Sequence, residues 1–172
     1  NFLDVNLYKS QGKAITNFDR QLPALQSDLA KEVIKDPYNF DFLALTEGYR
    51  EKELEDALTN NITKFLLELG QGFAYIGRQQ PIMIGQKEMA MDLLFYHMKL
   101  RCYVVIDLKV GEFDASYTSQ IGTYVVAVNH QLKTEMDNPT IGLIICKTKD
   151  NVVAEYSLEA SSVPIGISEY QL

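Results

Sequence analysis

Along this chain the spacing of apolar residues switches between the period of a helix and that of a strand. From Asn17 to Ile34 the residues Phe18, Leu22, Leu25, Leu29 and Val33 recur every three or four positions, as on one helix face. One amphipathic helix is predicted, running through Pro23 and ended by Lys35-Asp36-Pro37, since a residue before proline is pushed out of the helical region. A short helical segment is expected around Phe40 to Leu45, and Asn1 to Thr16 carry little periodic signal. From Glu51 to Leu69 the stripe Leu54, Leu58, Ile62, Phe65, Leu66 and Leu69 predicts a second helix, stopped by Gly70 and Gly72. Glu55 falls at the edge of that stripe, which makes it either a surface acid or a member of a buried site.

The period then shortens to two. Phe73 to Gln79 alternates weakly and is predicted as a strand closed off by Pro81, and Ile82 to Lys87 as a connection turning at Gly85. Leu93 to Tyr96 and Tyr103 to Ile106 are aromatic and β-branched runs joined by a turn at Met98 to Arg101, a hairpin in which Leu94 faces Val105 and Asp92 faces Asp107. Lys109 then points the same way as Asp107, and Leu108 the other way. Gly111 breaks that strand. Ser116 to Leu132 reads as a helix with Ile121, Tyr124, Val125 and Val128 on one face and Gln120 one turn before Tyr124. Met136 to Pro139 is a loop, Thr140 to Cys146 a strand covered on both faces, and Val163 to Ser168 a further strand. The order helix, strand, hairpin, helix, strand, strand predicts an α/β fold, a mixed sheet flanked by helices.

Composition narrows the class without naming a function. With 172 residues, 47% hydrophobic and 23% charged, the chain reads as an ordinary soluble globule. No apolar run approaches the ~20 residues of a membrane span and no signal-peptide pattern opens the chain, so a cytoplasmic location is expected. The chain starts at Asn1 rather than Met, as a piece of a longer protein would. Cys102 and Cys146 sit in or beside strand-like runs, where buried free thiols are expected rather than a disulfide or metal site. The net charge of −7 argues mildly against a nucleic-acid partner, but the acids concentrate at Glu47 to Glu55 while Arg78, Lys87, Lys99, Arg101 and Lys109 lie in or near the hairpin. The two histidines, His97 and His130, leave little room for zinc or a histidine base, and His97 is expected as a solvated corner residue.

The chemistry lies in Asp92, Asp107 and Lys109. Facing carboxylates destabilise a sheet by roughly 0.2–1 kcal/mol and, once buried, require a cation or a proton. Two readings follow: a salt bridge at a sheet edge, neutralised by Lys109, or a phosphodiesterase site, in which two acids hold a hard divalent cation and the lysine orients the attacking water. Spacing alone leaves both open.

The segments GFAYIGRQ, MDLLFYHMKLRCYVVIDLKVGEF, SQIGTYVVAV, DNPTIGLIICKTKDNVVAEYSL and PIGISEYQL resemble the nuclease domain of the YhcG-like PDDEXK family, from about Glu53 to Leu172; KDPY and LTEGYREKELEDAL resemble it upstream. The resemblance implies a restriction-endonuclease-like core over residues 51–172, with residues 1–50 a partly helical extension packed on it. It further implies Mg²⁺- or Mn²⁺-dependent cleavage of nucleic acid, DNA rather than RNA, by an endonuclease, with a homodimer as an expected assembly. Matched to the family signature, Asp92 is the first acid, Asp107 the second and Lys109 the lysine; Met91 stands where the signature has proline, and Asp107 where relatives usually have glutamate. The Leu108 carbonyl is a further expected ligand, Glu55 an expected acid on the first core helix, Gln120 and Tyr124 a QxxxY pair beside the site, and Arg78 and Gln79 candidates for substrate contact. The other class that the resemblance admits is a catalytically silent nuclease fold that binds nucleic acid or protein.

Overall fold

The β-branched runs assemble into a seven-stranded mixed sheet, seen in a computed structural model that describes residues 13–172. Its strands are β1 (Ile15–Thr16), β2 (Tyr38–Asn39), β3 (Phe73–Ile84), β4 (Lys87–His97), β5 (Cys102–Glu112), β6 (Ile141–Thr148) and β7 (Ile165–Gln171). The order across the sheet is β1-β7-β6-β5-β4-β3, with β2 also paired to β7. The β3, β4, β5 meander is antiparallel, whereas β5, β6 and β7 run parallel. Among the described residues no helix is long and apolar enough to cross a membrane.

Parallel neighbours need a crossover connection. Helix α5 (Ser116–Gln131) makes it between β5 and β6, and α6 (Asn151–Glu159) between β6 and β7. These two helices cover one face of the sheet, where Leu94, Val105 and Ile144 meet Ile121, Val128 and Leu158. The other face carries α1 (Phe18–Gln21), α2 (Ala24–Val33), α3 (Glu51–Asn60) and α4 (Ile62–Leu69), where Leu93, Phe95, Val104 and Ile106 meet Phe18, Ala30, Leu54 and Phe65. Covering both faces removes the β6 run Ile141 to Cys146 entirely from water, about 1.5–3 kcal/mol for each large side chain. Aromatic contacts tie the N-terminal segment to this core: Tyr170 to Phe40 (5.4 Å), Phe40 to Phe65 (5.7 Å) and Phe65 to Phe95 (5.8 Å).

Several expectations from periodicity need correction. Pro23 does split the first helix, holding Leu22 extended (φ −127°, ψ 152°) and leaving Leu25 74% exposed. Asn61 splits the second: its backbone leaves the helical region (φ −117°, ψ 42°), and its side-chain amide shares the Ala57 carbonyl with its own N–H. Phe40 to Leu45 is not helical; Tyr38 and Asn39 pair with β7 instead. Strand β3 runs through Pro81 to Ile84, because an edge strand can place a residue without an N–H where its nitrogen faces away from the ladder. Strand β5 continues past Gly111 to Glu112. Helix α6, not expected at all, is capped by Asp150, whose carboxylate accepts from the Val152 and Val153 N–H groups. His97 is buried, not solvated, with Nδ1 accepting from the Leu100 N–H at 3.0 Å. Of the unassigned residues Asn1 to Thr16, the first twelve lie outside the described residues, and Ile15 and Thr16 form β1.

Candidate active site

The β4–β5 hairpin has the expected register, pairing Leu93 with Ile106 and Leu94 with Val105. At Leu93 the ladder stops and the strands part. The next residue of β4, Asp92, replaces the missing backbone partner: its Oδ2 accepts the Leu108 N–H at 3.0 Å. Asp107 is 5% exposed, and its Oδ2 is buried without a hydrogen-bond partner. Burial, then the neighbouring Asp92 carboxylate, push the Asp107 carboxyl up to about 8. Lys109 Nζ stands 3.5 Å from that oxygen and 4.5 Å from the Tyr117 ring centroid, so a cation–π contact from α5 holds the ammonium.

Helix α3 supplies the rest of the cluster. Glu55, 3% exposed, uses both oxygens: Oε2 accepts from Arg78 Nη2 (2.5 Å) and Nε (3.1 Å), and Oε1 from Gln79 Nε2 (2.6 Å). Arg78 also donates to Asp56 and, at 3.1 Å, to Thr59 Oγ1. The Gln79 amide reaches on to Asp92 Oδ1 at 3.4 Å. A cleft of about 360 Å³ opens here, lined by Glu51, Lys52, Glu55, Arg78, Gln79 and Asp92.

Glu55, Asp92, Asp107 and Lys109 are thus brought into one polar cluster, through Gln79 and the Leu108 backbone. Gln120 and Tyr124 are not in it. Gln120 Nε2 donates to the Tyr124 hydroxyl at 3.2 Å, and both line a separate recess with Ile84, Lys87 and Met89. Asp56, Thr59 and Tyr117 went unnoticed in the sequence. The one-turn spacing of Glu55 and Thr59 on a helix was a usable signal; the arginine that joins them sits on a distant strand.

The family model of the YhcG PDDEXK nuclease domain matches residues 31–172. The chain belongs to this family. It is 37% identical over 150 residues to the protein named "Putative nuclease YhcG" of Escherichia coli (strain K12), which covers 87% of this chain and 40% of that protein. The chain therefore spans less than half the length of that curated relative. A solved repair endonuclease from Pyrococcus abyssi aligns with a TM-score of 0.48 at 23% identity, over 73% of this chain and 48% of the other; the EndoMS–dsDNA2 complex gives 0.49 at 18%, over 76% and 46%.

As a member of the YhcG PDDEXK nuclease domain family, the chain is expected to use a divalent cation. Among the described residues no three His, Cys, Asp or Glu side chains converge as a closed metal cage. A hard cation that keeps much of its water needs fewer protein ligands than that. The buried Asp107 Oδ2, which makes no hydrogen bond and lies beside Asp92, fits such an ion, and the donor set is all oxygen.

Proposed function

We propose that this domain is a Mg²⁺- or Mn²⁺-dependent nuclease that hydrolyses internal phosphodiester bonds of nucleic acid, DNA in preference to RNA. The observation that carries the reading is the buried Asp107 carboxylate between Asp92 and Lys109, whose Oδ2 makes no hydrogen bond and has only the Lys109 ammonium 3.5 Å away, in a chain of a nuclease family. Asp92 and Asp107 would hold the cation, with the Leu108 carbonyl as a further ligand. The cation, when bound, supplies Lewis-acid charge and lowers the pKa of water. Lys109, steadied over Tyr117, orients the attacking water and places positive charge where the phosphoryl group gathers negative charge. Glu55 and Gln79 fix the wall of the cleft. Incubation with plasmid, single-stranded DNA and RNA in Mg²⁺ or Mn²⁺ tests this; cleavage that survives Asp92→Ala or Lys109→Ala would refute it.

The shorter acid at Asp107 favours a second reading, a silent fold that binds nucleic acid or protein. Calorimetric titration with Mn²⁺ separates the two, since a silent module has no reason to bind the ion through Asp92. A homodimer is part of the first reading, and sedimentation with and without duplex DNA tests it.

A further inference from the structure

Gln79 carries a backbone conformation that its side chain does not favour. Its φ is +44°, one of two positive values among the described non-glycine residues; the other, Arg101, closes the β4–β5 turn. No turn requires the conformation at Gln79, which lies inside strand β3 between Arg78, paired with Leu93, and Gln80, paired with Met91. Left-handed backbone at a non-glycine strand residue is unfavourable, and it persists where the surroundings impose it and function retains it.

The side chain shows what is retained. Gln79 Nε2 is 2.6 Å from Glu55 Oε1 and 3.4 Å from Asp92 Oδ1, so one amide spans two carboxylates. The shorter bond is to Glu55, which Arg78 fixes from its other oxygen. Asp92 is fixed on its other oxygen by the Leu108 N–H. Arg78, Glu55, Gln79 and Asp92 form an unbroken chain of polar contacts, and only its last member belongs to the acid pair. Arg78 already meets the charge of Glu55, and a neutral amide can then hold Asp92 without neutralising it, which a lysine or arginine would do.

We propose that Gln79 is a positioning residue: anchored by Glu55, it orients the Asp92 carboxylate for a divalent cation, and the strained backbone is kept for that purpose. Glu55 then acts as the anchor of Gln79 rather than as a ligand. The inference rests on the metal-site reading given under "Proposed function".

The test compares Gln79→Ala with Gln79→Gly in the full chain. Both lose the amide, but only alanine keeps a Cβ in the left-handed region, so without metal the glycine variant should melt about 2–4 °C above the alanine variant. Calorimetric Mn²⁺ affinity should fall about tenfold in both, the usual effect of losing an outer-shell partner. At saturating DNA, kcat should fall by a similar factor with KM unchanged. A glycine variant that regains wild-type Mn²⁺ affinity would assign the effect to the backbone and overturn the proposal, as would wild-type affinity in the alanine variant. If the wild-type chain itself binds no Mn²⁺ and cuts nothing, the metal-site reading fails first, and the role of Gln79 with it. Wild-type binding with unaffected variants removes Gln79 alone.

Discussion

Among the described residues two acid–lysine pairs have a buried acid, and they are built to opposite ends. Asp36 and Lys149 have side chains 0% and 1% exposed and are in direct contact; Asp36 Oδ1 also accepts the Glu169 N–H at 3.1 Å, and the Lys149 N–H donates to Glu169 Oε2 at 2.9 Å. Burial raises the Asp36 carboxyl above its ordinary value, against the pull of the Lys149 ammonium. This closed pair ties the segment after α2 to the end of β6 and to β7. Asp107 Oδ2 and Lys109 Nζ stand 3.5 Å apart, with a second acid beside them, and that oxygen makes no hydrogen bond. Buried polar groups are almost always satisfied, so the difference is informative: a structural pair satisfies its own atoms, whereas this one leaves a buried carboxylate oxygen without a hydrogen bond.

The largest effect should come from emptying the open cluster. Asp92→Ala or Lys109→Ala should lower cleavage about 10³-fold while leaving the urea midpoint close to wild type. Retained cleavage would reduce the cluster to a second structural pair. The closed pair should respond the other way. Lys149→Ala leaves Asp36 buried without a counter-charge and should cost about 3 kcal/mol in urea unfolding, whereas Asp36→Leu with Lys149→Met should recover most of that loss. If Lys149→Ala leaves stability unchanged, the closed pair is not structural and the contrast between the two pairs fails.

The contrast was only half legible in the sequence. Asp92, Asp107 and Lys109 lie on one hairpin whose register follows from its turn, so local spacing was enough to bring them together. Asp36 and Lys149 are brought together by β2 pairing with β7 and by a helix, α6, whose exposed Val152, Val153 and Tyr156 blur its period. Only the Asp150 cap announced that helix. Gln79 differs again: the sequence offered it as a candidate for substrate contact, but no pattern of side chains reveals a positive φ or the carboxylates that its amide spans.

The pH response sharpens the comparison. The Asp107 carboxyl rises in the folded state to about 8, against about 3.9 when unfolded. Between those values the native state binds the extra proton, so stability without metal should fall as pH rises from about 4 to about 8 and then level off. Asp107→Asn should flatten that slope and, at pH 8 in EDTA, be at least about 1 kcal/mol more stable than the wild type. Mn²⁺ should bind more tightly as pH rises through the same window, since the ion displaces the proton. A wild-type chain with no such slope would show that the Asp107 carboxyl is already paired.

Gln120 should have the smallest effect. It is exposed and hydrogen-bonded to the Tyr124 hydroxyl in a recess beside Ile84, Lys87 and Met89, and its amide bonds to none of the three acids of the cluster. Replacing an exposed polar residue away from a buried network shifts stability by at most about 0.5 kcal/mol, so Gln120→Ala should leave Mn²⁺ affinity at wild type and change cleavage by no more than about twofold. A tenfold loss of Mn²⁺ affinity in Gln120→Ala would mean that α5 shifts toward β5 when the ion binds. Gln120 and Tyr124 would then join Asp92 and Asp107, and the cluster would be larger than the one the hairpin builds alone.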